Sequence, residues 1–70
     1  MTIGETIRTF REQRGMTQAQ LAEKCRMKRT QIGTYERDQH VPGVLAFDEL
    51  ATKGLGVKLS EVIKLWEGGE

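Results

Sequence analysis

The sequence predicts an all-α fold, a compact bundle of five short helices forming one domain over residues 1–70. Three observations carry that prediction. Apolar residues recur at helical intervals in five separate segments, and no segment alternates with period two over the length of a strand. Thr2 with Glu5, and Thr17 with Gln20, have the spacing of a capping box, the local signature of a helix start. A chain of this length buries only about 60% of the surface its unfolded form exposes, which leaves room for a single core.

Taken in order, Thr2 and Glu5 open a first helix over about Ile3 to Arg14, with Ile3, Ile7 and Phe10 along one stripe. Gly15 supplies a left-handed stop. The second capping box starts a helix near Gln18 that runs to about Cys25, with Leu21, Ala22 and Cys25 facing inward. A third helix follows over about Arg29 to Arg37, with Ile32 and Tyr35 inward. Pro42 cannot continue a helix and biases Val41 toward extended geometry, so 38–42 is a loop. A fourth helix, roughly Val44 to Lys53, carries Leu45, Phe47, Leu50 and Ala51 as its apolar positions, and Gly54 and Gly56 end it. Ser60 caps a last helix holding Val62, Ile63, Leu65 and Trp66. There is no internal repeat and no low-complexity tract.

Composition narrows the function classes. The hydrophobic fraction of 37% and charged fraction of 30% are those of a globular domain. No apolar run approaches the ~20 residues of a membrane span. No basic-then-apolar signal segment opens the chain, so the expectation is a cytoplasmic protein without a membrane partner. Cys25 and His40 are the only residues of their types. They form neither a metal set nor a nucleophile–base pair, so neither an enzyme nor a cofactor is expected. Net charge is only +1, but eight cations face three anions between Arg8 and Arg37, while residues 38–70 hold three lysines against six acids. A basic half joined to an acidic half points to one face built for a polyanion.

The second and third helices are separated by about three residues with neither glycine nor proline. Both can share one core only if the chain turns sharply at Arg26 and Met27, which is helix-turn-helix geometry, with the small Ala22 at the closest approach.

On these residues the chain resembles the helix-turn-helix domains of the phage lambda repressor and Cro type, the XRE family. The stretch "RTFREQRGMTQAQLAEKC" is similar to the family's first two helices, "KRTQIGTYERD" to its recognition helix and "LGVKLSEVI" to its closing segment. The resemblance implies a sequence-specific regulator of transcription, by default a repressor, that binds palindromic double-stranded DNA as a homodimer with helix three in the major groove. It implies base reading by Arg29, Thr30, Thr34 and Gln31. It implies phosphate contacts from Gln18, Lys28, Arg37, Gln39, His40 and Arg26, and a structural ion pair between Arg11 and Glu36. An arginine can take a guanine edge bidentately and a threonine can offer hydroxyl or methyl to a base. Free N–H groups at the start of helix two suit a phosphate. Ile63 and Trp66, at helical spacing, are the candidate dimer contacts.

Three departures from the family pattern carry structural expectations. Arg26 stands where the family places glycine and must hold a positive φ at roughly 1 kcal/mol, or shift the turn. Lys28 replaces a Ser or Thr cap and cannot accept the N–H bond, weakening the start of helix three by about 1 kcal/mol. The family's closing "LA-x-x-LG" is one residue longer, as "LATKGLG" from Leu50, which bears on the register of helix four. A second functional class is an antitoxin-like or other protein-interaction module on the same fold, whose partner would be a toxin-like protein and which the acidic second half suits, whereas polymerase is a partner of the DNA-binding reading, through activation by touching it. Control of a restriction–modification operon is a variant of the DNA-binding reading that these residues do not separate.

Overall fold

The structure, a computed structural model, describes the backbone of residues 1–68 and side chains as far as Lys64. Its helices are α1 (Ile3–Gln13), α2 (Gln18–Lys24), α3 (Arg29–Glu36), α4 (Val44–Glu49, prolonged by a π-helical segment Leu50–Leu55) and α5 (Leu59–Gly68). α1 and α2 pack against α3, the π segment lies on α2, and α5 closes the bundle against α1.

Both capping boxes form. The Thr2 hydroxyl accepts from Glu5 N at 3.1 Å while Glu5 Oε1 accepts from Thr2 N at 2.8 Å. Thr17 and Gln20 do the same at 3.1 and 2.9 Å. The Thr2 bonds also hold the Glu5 carboxyl below its ordinary pKa. Gly15 stops α1 at φ 65°. Arg14, Cys25 and Arg37 are capping residues, so each of the first three helices ends one residue before its expected limit.

The turn between α2 and α3 is made as the packing requires. Arg26 takes φ 57°, and Met27 N–H donates to Ala22 O at 2.9 Å across the bend. Lys28 is the N-cap of α3 and gives no side-chain cap bond. Both departures from the family pattern are therefore carried within the motif, each at a cost of about 1 kcal/mol.

Helix four differs from expectation. It does not end at Lys53, and Gly54 is no stop. The helix runs on in π geometry through Leu55, and Gly56 ends it at φ 70°. A π turn holds one more residue than an α turn, so the extra residue of "LATKGLG" is absorbed inside the helix without disturbing the closing glycine. Gly54 is buried against α2: a Cβ there would stand 2.6 Å from Leu21 Cδ1. The Arg14 guanidinium fastens this end of α4 to α1, donating to Leu55 O at 2.6 Å and Phe10 O at 3.1 Å over the Phe10 ring. Cations suit a helix C-terminus.

The core gathers Ile3 and Ile7 from α1, Leu21, Ala22 and Cys25 at α2, Ile32 and Tyr35 from α3, Phe47, Leu50, Ala51 and Leu55 from α4, and Val62 from α5. Leu45 corrects the sequence reading: it is 83% exposed. Apolar residues surround the start of α4 on every side, and only Phe47 among them turns inward. The Cys25 thiol donates to Leu21 O at 2.9 Å, and burial raises its pKa, which keeps it an unreactive core group. Ile63 is half-buried and packs on the core; the Trp66 side chain lies outside the described residues.

Candidate nucleic-acid interface

The interface begins with a network that locks α1, α2 and α3 together. Glu36, its side chain 4% exposed, faces Arg11, whose side chain is 11% exposed. Arg11 donates to both carboxylate oxygens, Nε to Oε2 at 2.7 Å and Nη2 to Oε1 at 3.0 Å, and its third arm donates to Met16 O at 2.8 Å. This fork geometry is the strong form of an ion pair, and the bond to Glu36 raises the Arg11 pKa. The Gln18 amide donates to Glu36 Oε1 at 3.1 Å. Gln18, the first residue of α2, is thereby held to the last residue of α3.

Gln18 and Arg37 stand side by side. Around the point where a Cβ on Gly33 would lie, Arg37 Nη1 is at 3.0 Å and Gln18 Oε1 at 3.5 Å. The glycine on α3 leaves the space those two polar ends occupy. Arg37 is further braced by Gln39, whose Oε1 accepts from Nε at 3.3 Å and Nη2 at 3.2 Å. Three of the residues expected to touch phosphate are thus gathered at one end of α3.

Along α3 itself, Arg29, Thr30 and Gln31 are exposed and Thr34 is half-buried. The Arg29 side chain has no hydrogen bond or ion pair among the described residues, and the same holds for the side chains of Arg26 and Lys28. Two of the expected base readers are already engaged. Thr34 Oγ1 donates to Thr30 O at 2.8 Å, which leaves outward only its acceptor lone pairs and methyl. Gln31 Nε2 donates to Tyr35 Oη at 2.9 Å, which sets its amide on one side of the helix. Thr30, Gln31, Thr34 and Tyr35 line an open depression of about 370 Å³ with His40 and Val41. His40 therefore sits at the rim of the α3 surface, apart from the Gln18–Arg37 pair.

The sequence reading passed over Asp38. It has φ 58°, a conformation that L residues other than Asn and Asp seldom adopt. Its carboxylate reaches back to the start of α1, accepting from Gly4 N at 2.9 Å and Thr2 Oγ1 at 2.7 Å. An anion at that position complements the positive end of the α1 dipole. A glycine in the first turn of α1, where helix formers are favoured, was the local hint of a close approach.

A sharp turn with α3 held across α2, and an outward row of donors on α3, define the motif. A family model described as a helix-turn-helix domain matches residues 2–62. The chain belongs to that family. This helix-turn-helix domain is 35% identical over 63 residues to the immunity repressor protein of Bacillus phage phi105, a match covering 90% of the chain and 43% of that repressor. The chain thus spans less than half the length of this curated relative. Among solved structures, a point mutant of the restriction–modification controller protein C.Esp1396I superposes with a TM-score of 0.88 at 27% identity, covering 96% of this chain and 84% of that one. The clp gene regulator ClgR from C. glutamicum gives 0.87 at 24% identity over 96% and 86% of the two chains, a likeness of fold. The family, the all-helical fold and the helix-turn-helix assignment made from sequence all hold.

Proposed function

We propose that this helix-turn-helix domain is a sequence-specific DNA-binding regulator of transcription that lays α3 in the major groove. The observation that carries the reading is the exposed, unpartnered Arg29 at the start of α3, beside Thr30 and ahead of the Gln18–Arg37 pair. Arg29 reaches a guanine edge, Thr30 and the Thr34 methyl meet neighbouring bases, and Gln31 presents its free carbonyl oxygen. Gln18, Arg37 and Gln39 hold one phosphate stretch, with Lys28, Arg26 and His40 adding contacts around it. Likeness to an immunity repressor and to a restriction–modification controller supports a regulatory role. Repression by occupying the site is the simplest mechanism. One such helix reads few bases, so two copies on a palindrome with half-sites about ten base pairs apart supply the affinity.

Arg29→Ala is expected to weaken binding by about 1–3 kcal/mol and to relax preference at a single base pair. Gln18→Ala is expected to weaken binding by a similar factor on every sequence. Fluorescence anisotropy across a set of single-substitution duplexes separates the two patterns. An Arg29→Ala loss that is the same on all duplexes would make Arg29 a phosphate contact.

A further inference from the structure

Tyr35 belongs to the core, at 8% exposed, where a phenylalanine ring would fill the same space. The hydroxyl is what sets it apart, and a hydroxyl so nearly buried needs a partner. Gln31 is that partner, donating from Nε2 to Tyr35 Oη at 2.9 Å. The two stand about one turn apart on α3. Helical side chains lean toward the N-terminus, so the tyrosine reaches back over the turn that carries Gln31. Both residues line the open depression on the α3 surface, and Gln31 is exposed there. A side chain locked in the core thus holds the end of one that faces outward.

The bond decides what the Gln31 amide can offer. A glutamine amide has one oxygen and two N–H bonds, and one N–H is spent on Tyr35. An acceptor and a single donor remain. That combination matches the major-groove edge of adenine, which donates from N6 and accepts at N7. The amide turned around, its oxygen taking the tyrosine's hydrogen, would face outward with donors alone. Donors alone match O6 and N7 of guanine. An untethered glutamine samples both arrangements and loses more rotamer freedom on binding. We propose that Tyr35 is a positioning residue for base recognition: it fixes the Gln31 amide with its oxygen free, so that Gln31 selects an A·T pair over G·C. This role rests on the DNA-binding reading of α3, to which it adds a base class and the residue that sets it. The tether holds because the tyrosine ring, packed in the core, cannot follow the amide outward. Arg29 remains the stronger reader, since its donors carry charge.

The test uses the full chain in two measurements. The first is competition binding to duplexes varied one base pair at a time, with Tyr35→Phe, Gln31→Ala and the double variant. Gln31→Ala locates the base pair that Gln31 reads, which is expected to be A·T in the preferred duplex. Tyr35→Phe is expected to lower the A·T-over-G·C preference there by about fivefold, the weight of one hydrogen bond. It should leave intact the preference that Arg29→Ala removes. In the Gln31→Ala background, Tyr35→Phe should change no preference at all. A tyrosine that served only the core would shift the thermal melt and move no base preference. The second measurement is side-chain amide NMR of the free protein, which reads the contact itself. One Gln31 N–H proton is expected to be shifted and slow to exchange, and to lose both properties in Tyr35→Phe. Four results would each overturn the proposal and leave the DNA-binding reading standing: Gln31 protons like those of a free glutamine, a Gln31→Ala variant with every preference intact, a preferred G·C pair at the located position, or an A·T preference that survives Tyr35→Phe undiminished. A parent chain that binds every duplex equally would overturn both.

Discussion

Gly4→Ala is expected to lower the unfolding free energy by about 2–3 kcal/mol, read from urea denaturation. Helix propensity alone predicts the opposite sign, a gain of about 1 kcal/mol for replacing glycine within a helix. Tertiary geometry decides the outcome. A Cβ at Gly4 would stand 2.5 Å from Tyr35 O, 2.7 Å from Glu36 O and 2.7 Å from Asp38 Oδ1. Two of those atoms are backbone and cannot swing away, so α1 must lift from the end of α3. Lifting it breaks the Gly4 N–H bond to Asp38 and strains the Thr2 hydroxyl bond beside it. Asp38 would then hold its left-handed backbone, worth about 1–2 kcal/mol, with less in return. For a domain whose stability is roughly 0.05–0.15 kcal/mol per residue, this is a large fraction of the total. A variant as stable as the parent would mean that α1 and α3 are not held this closely.

Glu36→Ala is expected to cost about 3 kcal/mol, measured the same way. The carboxylate accepts two bonds from Arg11 and one from Gln18, and both charged side chains are nearly buried. Removing it leaves the Arg11 guanidinium with Met16 O alone. The asymmetry of buried ion pairs gives a sharper form of the same expectation. The double variant Arg11→Met with Glu36→Met should recover most of the loss, because neither charge is then left without its partner. DNA affinity should not recover with it, since Gln18 has lost the acceptor that orients its amide. A loss under 1 kcal/mol for Glu36→Ala would place the pair with ordinary solvent-screened surface bridges.

What was legible in the sequence was local. The capping boxes at Thr2 and Thr17 couple residues three apart, so their spacing alone announces them. The turn at Arg26 was legible because two short apolar patterns can share one core only across a sharp bend, and its positive φ was one of two outcomes that the family's glycine at that position implied. The missing cap at Lys28 follows from lysine having no acceptor. What was not legible depends on distance or on a competing signal. The Asp38 clamp joins residues 34 and 36 positions apart, and nothing at either end names the other. Gly54 has the appearance of a helix stop, and only its packing on Leu21 shows it inside a π turn. Leu45 was misplaced because Val44, Leu45, Ala46 and Phe47 are all apolar, and four consecutive apolar residues do not say which faces the core. In the candidate interface, the exposure of Arg29, Thr30 and Gln31 follows from the helical period. The bonds from Thr34 to Thr30 and from Gln31 to Tyr35, which narrow what each can offer a base, appear only in the structure.

Those internal bonds shape the recognition surface. Arg29 and Thr30 keep their full donor capacity, whereas Thr34 is left with its acceptor lone pairs and methyl, and Gln31 with its carbonyl oxygen and one amide N–H. Discrimination should accordingly concentrate at the base pair under Arg29. Behind α3, the Asp38 clamp and the Arg11–Glu36–Gln18 network fix both its far end and its crossing over α2. α3 is thus braced from the side opposite its exposed row of Arg29, Thr30 and Gln31.

The most direct test of the central claim is selection from a pool of random duplexes with the purified chain, followed by a salt titration on what is enriched. Sequence reading predicts an enriched palindrome with half-sites about ten base pairs apart, and log affinity falling linearly with log salt at a slope set by the phosphates contacted. Weak, salt-sensitive binding with no enriched sequence would contradict it.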